Sequence, residues 1–188
     1  GGKMLENYLQ IPVFHVLYYD GGQFKKVAGG IGYANGIAQS PDGKQCKGEP
    51  LLDEDYVYAR NIQTGDLAEK GVIELNSGVD NLDVLPDGSI WAGCHTKRLS
   101  FVAHSKDASK LSPSEVVRVL PLKNGGYDVA RVYQNDGKEL SGSSVAASCK
   151  NRLLVGAIYE NFFLDGTLPP GKSLEDAGGD VARFVRLV

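Results

Sequence analysis

Two stretches of this chain repeat one another, and the repeat limits the folds open to it more than any other feature. Tyr33-Ala-Asn-Gly-Ile37 leads through a short alternating run to Pro41-Asp42-Gly43. Val79-Asp80-Asn81-Leu82 leads in the same way to Pro86-Asp87-Gly88. Each copy sets an amide or carboxylate ahead of a β-type run, a tight turn and a returning run, the pattern of a hairpin with oxygen ligands at its mouth. Asn35 and Asn81 lie 46 positions apart, within the ~40–50 residues of a four-stranded propeller blade. Ser143 to Ala147 opens a third start of the same kind.

The rest of the chain agrees with an all-β architecture. Val13 to Tyr19 and Gln23 to Ala28 flank an Asp20-Gly21-Gly22 turn, Val72 to Leu75 and Glu115 to Leu122 read as strands, and Leu153 to Tyr159 reads as another. Leu99 to Ala103 reads as a strand as well. Gln45 to Asp55, with Gly48, Pro50 and four acidic residues, reads as a poor one. Gln134-Asn135-Asp136-Gly137-Lys138 has hairpin-turn chemistry between Asp128–Tyr133 and Glu139-Leu140. The expected organisation is one domain, 1–188: a short helix and lead-in over 1–12 that Pro12 stops, blades over 13–168, and a loose Gly- and Pro-rich C-terminal extension over 169–188.

Bulk properties exclude several classes. The 20 Lys and Arg are scattered among 23 Asp and Glu, net charge −3, so no basic patch offers itself to nucleic acid. No apolar run approaches the ~20 residues of a membrane helix. The chain begins Gly1-Gly2, and the absence of a visible signal peptide leaves the compartment open. Cys46, Cys94 and Cys149 are widely spaced and odd in number, which argues against a disulfide framework or a zinc site and for buried free thiols. No nucleophile elbow, phosphate loop or dinucleotide fingerprint occurs, so serine-nucleophile chemistry has no support.

The oxygen-bearing residues ahead of the inner strands carry the chemistry. Asn35, Asp80 and Asn81 would meet around one axis in a propeller, and hard oxygen donors of this kind suit Ca2+. The alternative is that each serves only its local turn, as Asn-Gly and Asp-Asn pairs commonly do. His95, following Gly93-Cys94 at a strand end, could face the channel as a base or substrate contact, or be a hydrogen-bonded structural histidine.

Taken together, Tyr33-Ala-Asn-Gly-Ile with Ser40-Pro-Asp-Gly-Lys, Val79-Asp-Asn-Leu, Trp91-Ala-Gly-Cys-His, Ser114-Glu-Val-Val-Arg, and Gly142-Ser-Ser-Val-Ala with Leu153-Leu-Val-Gly resemble the paraoxonase/arylesterase family in order and spacing. The resemblance runs from about Leu9 to Leu168 and covers the back portion of that family, which is similar to gluconolactonases. It implies a six-bladed β-propeller of which this chain supplies roughly the last three to four blades, with a catalytic calcium in the channel. It further implies hydrolysis of carboxylic esters or lactones, Asn35, Asp80 and Asn81 as calcium ligands, and Tyr33, His95 and Ser144 at the substrate pocket. The family's remaining calcium ligands and its paired histidines belong to the front portion, so the isolated chain is expected to be inactive, or active only when another chain or the front half completes the ring. A weak likeness of the first helix to a lipid-contacting helix implies membrane association. The alternatives are a gluconolactonase-type sugar-acid lactonase, and a propeller fragment without chemistry that acts as a binding module.

Overall fold

In the computed structural model, residues 13–32, 34–50, 54–168 and 183–187 are described. The expected first helix and Tyr33 lie outside them. Phe14–Tyr19 (β1) and Phe24–Ile31 (β2) pair antiparallel about the Asp20 turn. Three four-stranded antiparallel meanders follow, each in chain order. The first blade holds Ala34–Gln39 (β3), Gln45–Pro50 (β4), Glu54–Arg60 (β5) and Leu67–Glu74 (β6). The second holds Gly78–Val84 (β7), Ile90–His95 (β8), Ser114–Pro121 (β9) and Tyr127–Asn135 (β10). The third holds Ser143–Cys149 (β11), Arg152–Ala157 (β12), Phe163–Thr167 (β13) and Arg183–Leu187 (β14). The protein is a partial β-propeller: a hairpin and three blades in an open arc.

The Pro-Asp-Gly turns work as their chemistry requires. Asp42 Oδ1 accepts the Lys44 amide at 3.0 Å and the Ser40 hydroxyl at 2.6 Å. Asp87 Oδ1 takes the Ser89 amide at 2.9 Å and its hydroxyl at 2.6 Å. Gly43 and Gly88 adopt φ of 71° and 84°, the left-handed conformation that glycine reaches without a Cβ penalty. In the third blade the turn is shorter: Cys149 pairs with Arg152, and Lys150 between them takes φ 56°.

Two apolar seams join the blades. Val57, Ile73 and Leu75 of the first blade pack on Val79, Ile90, Ala92, Cys94, Val117 and Val119 of the second. Trp91, Val116, Val132 and Tyr133 of the second meet Leu140, Ala146, Leu153, Val155, Phe162, Leu164 and Leu168 of the third. Removal of these side chains from water, at about 1.5–3 kcal/mol for each large one, holds blade to blade.

Five sequence expectations change. Gln45–Pro50 is a regular strand despite Gly48 and Pro50, because it is clamped between β3 and β5 and its proline falls at the very end. Arg98–His104 is a helix (α1), not a strand, closed by Phe101 N–H to Lys97 O and Ser105 N–H to Phe101 O. The Gln134–Lys138 stretch is the crossing from β10 to the third blade, not a hairpin turn; Gly137 at φ 98° lies so close to the Ser112 carbonyl that a Cβ would stand 2.7 Å from it. Cys149 is exposed at the end of β11, while Cys46 and Cys94 are buried thiols outside any disulfide, as expected. Residues 183–187, within the expected extension, pair with β13 as the outer strand of the third blade. No helix among the described residues is long and apolar enough to cross a membrane.

Candidate metal centre and pocket

The inner strand of each of the three blades carries the same irregularity one or two residues inside its start. Ala34 pairs with Pro50 and Gly36 with Glu49, leaving Asn35 without a cross-strand partner. In β7 the ladder steps from Val79 opposite Cys94 to Asn81 opposite Gly93, leaving out Asp80. In β11 it steps from Ser143 opposite Ala157 to Val145 opposite Gly156, leaving out Ser144. A bulge re-aims the side chain it carries and breaks the strict two-residue alternation of a strand. The fold thus delivers Asn35, Asp80 and Ser144 as equivalent positions, and the structural repeat relates Asn35 to Asp80 rather than to Asn81.

These positions are linked in a chain across both seams. Asn35 Nδ2 donates to Asp80 Oδ1 at 2.6 Å and to the Asp80 carbonyl at 2.7 Å. Asn81 Nδ2 donates to Ser144 Oγ at 3.0 Å and to its carbonyl at 3.1 Å. Nε2 of His95, at the end of β8, stands 3.5 Å from Asp80 Oδ2. Asp80, His95 and Ser144 are buried while Asn35 and Asn81 remain exposed, so the cluster has an inner polar floor and an open rim.

Charge in the cluster is held by Asp80. Burial works to raise its carboxyl, and the polar groups of His95, Ser144 and Asn35 directed at it more than offset this, together with the proximity of His95 charge, holding it below the usual carboxylate range. Its Oδ2 nevertheless finds no hydrogen-bond partner among the described residues, and neither does Nδ1 of His95. An ionised, buried carboxylate oxygen left bare is costly unless a cation or donor meets it.

Helix α1 closes one side. The Phe101 ring stacks on the His95 imidazole at 3.6 Å between centroids and 19° between planes, and Tyr159 lies 5.8 Å from Phe101. Gly93 makes the close approach possible: a Cβ there would sit 2.3 Å from Val145 N and 2.4 Å from the Ser144 carbonyl carbon. Of the sequence-derived candidates, the structure brings Asn35, Asp80, Asn81, His95 and Ser144 together. Sequence reasoning missed Phe101, because its segment reads as a strand, and it missed Gly93, although an isolated glycine inside an apolar strand signals close backbone approach.

A family model described as Arylesterase matches residues 2–165. The chain belongs to the arylesterase family. It is 35% identical over 158 residues to human serum paraoxonase/arylesterase 2, covering 84% of this chain and 44% of that protein. Against human serum paraoxonase/arylesterase 1 it is 33% identical, covering 82% of this chain and 43% of the relative. The chain therefore spans less than half the length of these family members. Among solved structures, a Pseudomonas aeruginosa periplasmic gluconolactonase superposes with a TM-score of 0.52 at 15% identity, over 85% of this chain and 45% of that one. A putative 6-phosphogluconolactonase from Bacteroides uniformis gives 0.52 at 17%, over 91% and 50%. At these identities the likeness is one of fold.

Proposed function

We propose that this arylesterase-family protein hydrolyses carboxylic esters or lactones at the blade-start cluster, with calcium held by Asp80, Asn35 and Asn81. The observation that supports it best is the buried Asp80 Oδ2, which makes no hydrogen bond among the described residues and stands 3.5 Å from His95 Nε2, close to two asparagine side chains of a type that hard divalent ions accept as ligands. One carboxylate and two neutral amides fit part of a calcium shell, which takes 6–8 oxygens, so further ligands come from outside this trio. When bound, calcium supplies Lewis-acid polarisation of a carbonyl.

The chain's own residues do the rest. Asp80 and Asn35 fix one another across the first seam, and Asn81 is fixed by Ser144 across the second. Phe101 stacks on the His95 ring, and Nε2 of that ring faces the Asp80 carboxylate and orients it. Tyr159, beside Phe101, lends an apolar wall suited to an aryl or alkyl group. The substrate is a small-molecule ester or lactone.

The test is a full-length protein carrying this chain, assayed on phenyl acetate and on aliphatic and sugar-acid lactones, with and without a chelator. Turnover that a chelator abolishes and calcium restores, and that Asp80→Asn loses, is the expected result. Turnover indifferent to the chelator overturns the metal assignment. A preference for sugar-acid lactones over aryl esters would move the assignment to the gluconolactonase class.

A further inference from the structure

Behind the cluster, a row of buried serines sews the second blade to the third, and one of them touches the site from two directions. The Ser112 amide donates to Ser141 Oγ at 2.8 Å, and the Ser143 amide donates to Ser114 Oγ at 2.9 Å, while Ser114 Oγ donates to the Leu140 carbonyl at 2.7 Å. The Ser143 hydroxyl closes the row. It accepts the Glu115 amide at 2.9 Å, and its single proton lies between the Cys94 carbonyl at 2.9 Å and the Glu115 carbonyl at 3.0 Å. All four of these serines are at most 1% exposed.

The position of Ser143 is what separates it from the others. It immediately precedes Ser144, the bulge residue that holds the Asn81 amide. The carbonyl it engages belongs to Cys94, the residue before His95. Gly93 meets the Ser144 backbone beside it, at a distance that admits no side chain. One hydroxyl therefore spans β8, β9 and β11 at the point where two site residues leave their strands.

We propose that Ser143 is a positioning residue, fixing the Ser144 bulge, which receives the Asn81 amide across the second seam, and the end of β8, which carries His95. It touches neither substrate nor metal. Without the hydroxyl, the Glu115 amide and the Cys94 carbonyl lose a buried partner, and the backbone on both sides of the site relaxes independently. The kinetic consequence rests on the hydrolase proposed above, whereas the structural consequence does not.

The experiment is nitrogen-15 NMR of the chain at one fixed pH, following the Asn81 side-chain amide and the His95 imidazole signals. Ser143→Ala is expected to displace both. Ser141→Ala, which removes a hydroxyl from the same row two residues away, is expected to lower the melting temperature comparably and displace neither. Ser143→Cys, which keeps the shape with a weaker donor, is expected to fall between wild type and Ser143→Ala, and it supplies the same readout if the alanine variant does not fold. A folded Ser143→Ala or Ser143→Cys with both signals unmoved overturns the proposal, as does Ser141→Ala moving them equally. In the active enzyme, Ser143→Ala is expected to lower kcat about 10- to 100-fold with little change in KM, as misplaced catalytic groups do. Absence of any calcium-induced change in the wild-type spectrum would count against the metal and not against Ser143.

Discussion

The two seams between blades are built to different standards. At the second to third seam, serine hydroxyls and the Asn81 amide answer backbone groups across the junction, so a polar row runs beside an apolar core with hydrogen bonds in place. At the first to second seam, Asp55 is fully buried with neither carboxylate oxygen hydrogen-bonded among the described residues. Its cationic neighbour Lys47, almost as deeply buried, has its ammonium 5.0 Å from the Tyr127 ring centroid. Burial pushes the Asp55 carboxyl up to about 7 against the opposing pull of Lys47, and burial also lowers the Lys47 ammonium. The lesson is that one apolar interface can be rigid or titratable depending on a few polar atoms beside it. The site straddles both: Asp80 reaches to the first blade and Asn81 to the third.

The largest expected effect comes from breaking the tight seam. Gly93→Ala drives a methyl into the β11 backbone, and a cost of about 3 kcal/mol, the upper end for overpacking, is expected in chemical denaturation. Gly48→Ala in the first blade, where the nearest atoms are a Tyr58 ring carbon at 3.6 Å and the Gly36 carbonyl at 3.9 Å, is expected to cost under about 1 kcal/mol. Equal costs would show that the close approach at Gly93 is not what makes the second seam tight.

Next in size is a pH effect confined to the looser seam. Asp55 has its folded value, about 7, above the ordinary carboxylate value of 3.8. The folded state therefore holds a proton that the unfolded state has released between those values. The contribution is fully present below 3.8 and lost as pH rises through 7, on the order of 4 kcal/mol across that window. Denaturation at pH 5 and pH 8 should show the loss, and Asp55→Asn should flatten it. Asp80 runs the other way: its carboxyl is held low, so its contribution is present above 3.8 and fades as pH falls through its folded value. A stability curve that rises between pH 5 and 8 in wild type would contradict the assignment to Asp55.

The smallest effect sharpens the comparison. Tyr127→Leu removes the ring under Lys47 and the 3.4 Å contact to Gln45 while keeping apolar bulk. A loss of about 0.5–1 kcal/mol is expected, read as a shift of the denaturation midpoint, with no change in the Asn81 side-chain signal.

Much of this architecture is legible in the residues. The Pro-Asp-Gly turns, the alternation around them and the oxygen-bearing residues at the strand starts carry their own physical reasons, and they locate Asn35, Asp80, Asn81 and His95. What is hidden is what pairing decides. Whether Asn35 or Gly36 bulges depends on β4, which Gly48 and Pro50 disguise. Leu99 to Ala103 is a short apolar run in which helical and extended spacing are both satisfied, so only its packing over His95 settles it. Lys47 and Asp55 look like surface charges in sequence, and they become a buried couple only because the second blade covers them.

The most direct test of the central claim is a structure determined with calcium present, using the anomalous signal of the ion or of a lanthanide in its place. The account expects one ion at the starts of β3 and β7, with oxygens of Asp80, Asn35 and Asn81 at ~2.3–2.6 Å. An ion bound elsewhere, with Asp80 Oδ2 left bare or met only by a hydrogen-bond donor, would contradict it.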